Sequence, residues 1–128
     1  MIGIPGKRVK RRTQIEIDGR IVELPDRLLK VLLHLIVARL KKKNLHKLEL
    51  GHTSDKGFKQ ISELKEAIKS ALGDGDDFIN NDYHGNYSLA DHVEVGPCNI
   101  ENLLALDQQP ITDLTEELRR LLESQTKV

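Results

Sequence analysis

The stretch FINNDYHGNYSL, residues 78–89, holds Phe78, Tyr83 and Tyr87, three of the four Phe and Tyr residues in the chain; Phe58 is the fourth. Such a grouping around Asn, Asp and Gly reads as a β-hairpin. Phe78 and Ile79 open one strand, Gly85-Asn86 supplies the backbone angles of a tight turn, and Tyr87 begins the return strand. Tyr rings suit cross-strand pairs because the ring packs while the hydroxyl stays in water. The hairpin is expected over residues 78–92.

Upstream, TQIEIDGRIVELP (residues 13–25) alternates with period two and turns at Asp18-Gly19, a type I′ signal. With a two-residue turn, Ile15 faces Val22 and Thr13 faces Leu24. Ile15, Ile17, Val22 and Leu24 then form one apolar face. Pro25 and Asp26 start a helix, with Asp26 as the expected cap. RLLKVLLHLIVARLKKK, residues 27–43, is apolar around most of its circumference and is expected as the central helix. Lys41, Lys42 and Lys43 suit its negative end, or face phosphate. His34 reads as a packed core histidine.

Residues 44–57 form a connector with one expected short helix, Leu45 to Leu50. KGFKQISELKEAIKSALG (56–73) then places Phe58, Ile61, Leu64, Ile68 and Leu72 at helical spacing. Beyond the hairpin, NIENLLAL (99–106) reads as a short helix capped by Asn99. PITDLTEELRRLLES (110–124) is an amphipathic helix with Ile111, Leu114, Leu118, Leu121 and Leu122 on one side. Asp113 and Glu116 are a candidate capping box. That apolar stripe packs on its own domain or pairs with a second copy, so residues 110–123 are a candidate homodimer contact.

The fold class expected is α+β: a winged helix-turn-helix with an N-terminal β-hairpin, a wing hairpin and an added C-terminal helical tail. The expected organisation is a flexible basic arm over residues 1–12, a winged-helix domain over 13–95 and a helical extension over 96–128. At 31% charged and 38% hydrophobic residues, the composition is that of a globular rather than a disordered chain. The lone Cys98 cannot form an internal disulfide, which fits a reducing cytoplasm. No signal peptide is visible, and LLKVLLHLIVARL is too short and too charged to span a bilayer.

The net charge of zero conceals a division. Residues 1–59 carry 15 Lys and Arg against 6 Asp and Glu, while residues 60–128 carry 5 against 14. A basic half of that kind meets an anion or attracts the acidic half, unless the segregation is an accident of a solvated surface. The basic run GKRVKRRTQ (6–14) has no core-forming pattern. It reads as an arm that meets nucleic acid phosphates or as a solubilising tail.

In the order hairpin, helix, connector, helix, hairpin, residues 14–90 resemble the OmpR/PhoB-type winged-helix effector domains of bacterial response regulators. IVELPDRLLKVLLHL is similar to that family's entry into its first helix. ISELKEAI is similar to its recognition helix, and INNDYHGNYSL to its wing, with Tyr87 at the wing tyrosine and Leu89 at the apolar position after it. The chain departs from the family in several ways. His84 and Asn86 stand where the wing usually has two glycines, the connector is short, no receiver domain precedes the motif, and the recognition helix is less basic.

The resemblance implies a cytoplasmic transcription regulator that binds duplex DNA as a dimer or with a separate partner. Lys56, Lys59, Ser62, Lys65 and Lys69 would meet the major groove and its rims, with Tyr83, His84 and Asn86 on the backbone from the wing. Arg8, Arg11 and Arg12 would reach a neighbouring groove or phosphates. Against this stand Glu63, Glu66 and the DGDD loop at 74–77. Those acids favour the alternative, a winged-helix protein–protein interaction or adaptor module, with a protein partner for the acidic C-terminal half.

No enzyme, cofactor or metal is expected. Ser54-Asp55 reads as a cap, Cys98 has no nearby His, and no phosphate-binding loop motif is present. His84 with Asp91 and His92 is too sparse for a metal set, and DGDD is too short for a calcium loop.

Overall fold

The computed structural model describes residues 1–42, 45–46, 54–72, 79–81 and 86–126. They form an α+β protein with two sheets. The expected first hairpin is present as β3 (Arg12–Ile17) and β4 (Arg20–Pro25). Its register pairs Ile15 with Val22 and Thr13 with Leu24. Asp18 at φ 51° and Gly19 at φ 83° make the turn, the left-handed pair that a type I′ connection needs. Thr13, Ile15, Ile17, Val22 and Leu24 are buried, whereas Arg12, Glu16, Ile21 and Glu23 are exposed.

The segment expected as a flexible arm is part of the sheet. β1 (Ile2–Ile4) and β2 (Arg8–Val9) lie end to end along the edge of β3 opposite β4. β8 (Val95–Cys98) runs parallel to β1 on its far side. Ile2 and Ile4 have no exposed surface, so burial holds this segment in place. Gly6, at φ 74°, carries the chain from β1 to β2. Its N–H donates to the Gln14 carbonyl at 3.2 Å, and a Cβ there would come within 2.8 Å of the Asn102 Cβ.

Helix α1 (Asp26–Leu40) is the hub. Leu28, Leu29, Val31, Leu32, Leu33, Leu35, Ile36, Val37 and Ala38 are all buried, against both sheets and two other helices. Its N-cap is Pro25, with no side-chain cap bond. The expected cap, Asp26, instead accepts from Arg8, because the β2–β3 hairpin brings that guanidinium to the start of the helix. At the other end Lys42 takes φ 59°, a left-handed residue just past the helix. Lys41 forms an ion pair with Glu117.

β5 (Leu45–His46) is a strand where a short helix was expected; its pairing with Tyr87 and Asn86 outweighs local helix preference. α2 (Ser54–Leu72) follows. β6 (Ile79–Asn81) and β7 (Asn86–Leu89) form the expected hairpin in the register Ile79–Leu89, Asn80–Ser88 and Asn81–Tyr87. Asn86, expected in a two-residue turn with Gly85, is instead the first residue of β7, because it pairs with His46 of β5. The second sheet runs β5-β7-β6. Tyr87 is only 3% exposed, so its ring belongs to the core.

The C-terminal third is built into the same core rather than appended. α3 (Ile100–Leu104) starts at Asn99, whose side chain accepts from the Asn102 N–H at 3.0 Å, as expected of a cap. α4 (Gln109–Thr126) packs along α1. Ile111, Leu114 and Leu118 are buried there, so the stripe weighed as a homodimer contact over 110–123 covers its own hub helix. The helix begins before the expected capping box because Pro110 fits a first turn. Asp113 accepts from Gln109 Nε2 at 2.8 Å, and Thr115 donates to the Ile111 carbonyl at 2.6 Å. Among the described residues, no helix is long and apolar enough to cross a membrane.

Candidate nucleic-acid interface

Helix α2 turns Ile61, Leu64 and Ile68 inward against α1 and β4. The spacing fixes what faces out. Lys59, Glu63, Glu66, Lys69 and Ser70 are exposed, and Ser62 and Lys65 are half-buried on the flank. Lys56 lies at the first turn of α2, and its side chain lies outside the described residues. Tyr83 and His84, expected on a wing, also lie outside them. Asn86 is half-buried at the start of β7, opposite His46.

The outer face of α2 borders the N-terminal end of α1. Arg27 donates to Glu63 Oε2 from Nε at 3.1 Å and from Nη2 at 2.7 Å. A shallow groove of about 570 Å³ lies between the helices, lined by Arg27, Leu28, Lys59, Ser62, Glu63 and Glu66. The Arg27–Glu63 pair is open to water, 59% and 45% exposed, so it contributes at most about 1 kcal/mol to folding. Its significance is electrostatic. Glu63 occupies a cation that faces the groove, and Glu66 adds a second negative charge to the lining.

The three expected arm arginines separate. Arg8 is a strut: it donates to both oxygens of Asp26 and to Thr13 Oγ1, the last at 3.3 Å. It is therefore not a free arm residue, because its guanidinium ties the β2–β3 hairpin to α1. Arg11 and Arg12 sit at and beside the hairpin turn and are exposed.

Arg39 was not singled out by sequence reasoning. It lies on α1 and reaches the chain that leaves β7. Nη1 donates to the Val93 carbonyl at 2.6 Å, and Nη2 to the carbonyls of Leu89 at 2.5 Å and Ala90 at 2.6 Å. One side chain thereby satisfies three acceptors and fixes the second sheet to the hub. The signal in the sequence is a cation that follows the apolar run Leu35–Ala38 near the end of the helix.

Cys98 offers no nucleophile. Burial pushes its thiol up to about 11, against a smaller opposing effect of the hydrogen bond with the backbone of Ile4. The protonated group lies 3.6 Å from the Gly96 carbonyl. Among the described residues, no cluster of three or more His, Cys, Asp or Glu is arranged to hold a metal. No family model, no curated protein and no solved structure matches this chain.

Proposed function

We propose that the chain is a winged-helix domain that binds duplex DNA, with α2 as the helix that enters the major groove and β6–β7 as the wing beside it, in the role of a transcription regulator. The observation that carries this reading is the β5-β7-β6 sheet. The strand between the two helices pairs with the return strand of the hairpin, and α2 and β7 both pack on α1. Lys59, Ser62, Lys65 and Lys69 then lie on the outer half of α2, with Asn86 at the base of the wing. Arg27 adds a cation at the edge of the groove.

The test is fluorescence anisotropy with a random-sequence duplex at two salt concentrations. Binding that weakens steeply with salt and is lost in Lys59→Glu/Lys69→Glu supports the reading. Absence of binding at low salt refutes it. Glu63 and Glu66 in the groove favour the second reading, a protein-interaction module whose partner offers a basic segment. Under that reading, Glu63→Lys/Glu66→Lys would abolish partner capture and leave duplex binding undetectable.

A further inference from the structure

The run of cations before β3 has a structural setting that the α2 reading does not use. Residues 7–12 hold Lys7, Arg8, Lys10, Arg11 and Arg12 and no acid. β2 and β3 pair Val9 with Arg12, so Lys10 and Arg11 form a two-residue turn. Lys10 takes φ 58°, where glycine or asparagine would be cheaper. Among the described residues, Arg8 is the one cation of these five that is ion-paired to a carboxylate. Lys7, Lys10, Arg11 and Arg12 are all exposed.

The hairpin that presents them is held firmly. The Gln14 N–H donates to the Lys7 carbonyl at 2.9 Å, and Arg8 anchors the hairpin to Asp26 and Thr13. Its position is also defined. Arg12 pairs with Pro25, and two residues later Arg27 meets Glu63 on α2. The basic turn and the outer face of α2 therefore flank one corner of the molecule, the N-terminal end of α1.

We propose that the β2–β3 hairpin is a second nucleic-acid contact, in which Lys7, Lys10, Arg11 and Arg12 meet the phosphates bordering the groove that α2 enters. This rests on the duplex-binding reading. A rigid turn carrying cations on long side chains suits the sugar–phosphate backbone, whose charge it neutralises without reading sequence. Because the turn is pre-ordered, binding does not bear the cost of ordering a flexible arm.

The test compares wild type, Lys10→Glu/Arg11→Glu/Arg12→Glu and Lys59→Glu/Lys69→Glu by anisotropy on a random 30-base-pair duplex, from about 50 to 200 mM salt. The hairpin variant is expected to bind at least about tenfold more weakly at the low-salt end. Its dependence of log affinity on log salt should be shallower by about 2 to 3, since each phosphate contact contributes about 0.9. A glutamine version of the same three sites should fall between it and wild type, and circular dichroism melting should show all variants folded. A hairpin variant with wild-type affinity and slope, beside an α2 variant that fails, overturns this inference and leaves the α2 reading standing. Loss in the hairpin variant with an unaffected α2 variant supports the hairpin and overturns α2 as the groove helix. No binding by wild type overturns both.

Discussion

Helix α1 carries an arginine near each end, and the two do different work. Arg39, near the C-terminal end, is half-buried and donates to three backbone carbonyls. Arg27, near the N-terminal end, is 59% exposed and meets a single carboxylate that is itself in water. The first replaces hydration that the carbonyls of Leu89, Ala90 and Val93 lose on burial, so the fold depends on it. The second gives up little water and contributes little to folding, which leaves it available to an incoming anion. One end of the hub is a joint, and the other is a surface.

The contrast is sharpest at the joint. Arg39→Ala should destabilise the domain by about 2–4 kcal/mol, measured by urea unfolding, because three carbonyls lose a charged donor together. A loss below about 0.5 kcal/mol would mean that water replaces the guanidinium and that the two ends are alike. Arg39→Lys keeps the charge without the planar fork. It should recover only part of the stability, leaving a deficit of about 1–2 kcal/mol.

Arg8 lies between these extremes, half-exposed but bonded to both Asp26 and Thr13. Arg8→Ala should cost about 0.5–1.5 kcal/mol in the same unfolding experiment. The surface end should respond least in stability and most in binding. Glu63→Gln should change stability by less than about 0.5 kcal/mol. On the duplex-binding account it should tighten binding by roughly threefold at low salt, since it removes a like charge beside phosphate and frees Arg27. Weaker binding in this variant would mean that the acid, not the base, faces the partner.

Much of this architecture was legible in the sequence. The Asp18-Gly19 turn demands positive φ at two successive residues, and the alternation on either side fixes which face is buried. The largely apolar circumference of residues 27–40 announces a helix buried over most of its surface. Ile79 and Tyr87 mark the second hairpin through β-propensity next to turn residues. The rest depends on pairings distant in sequence. Ile2 and Ile4 alternate over only three residues before the basic run, and the strand β8 that completes their burial comes more than ninety residues later. The Leu stripe of residues 111–118 gave its amphipathic face but not its partner, since α1 or a second copy would bury it equally well. Arg39 reads as a cation after the apolar run Leu35–Ala38 until the end of β7 is placed beside it. At the candidate interface, the pattern of α2 foretold Glu63 on the outer face. It did not foretell that Arg27 would be drawn to it, or that Arg8 would serve the fold while Arg11 and Arg12 remain exposed.

The measurement that tests the central claim most directly is a nitrogen–proton correlation spectrum of the labelled protein, titrated with a short duplex at low salt. The account predicts that amide signals shift in residues 59–70, around Arg27 and at the Lys10–Arg12 turn, while those of Leu114–Leu118 on α4 stay in place. No shifts at low salt, or shifts confined to α3 and α4, would contradict it.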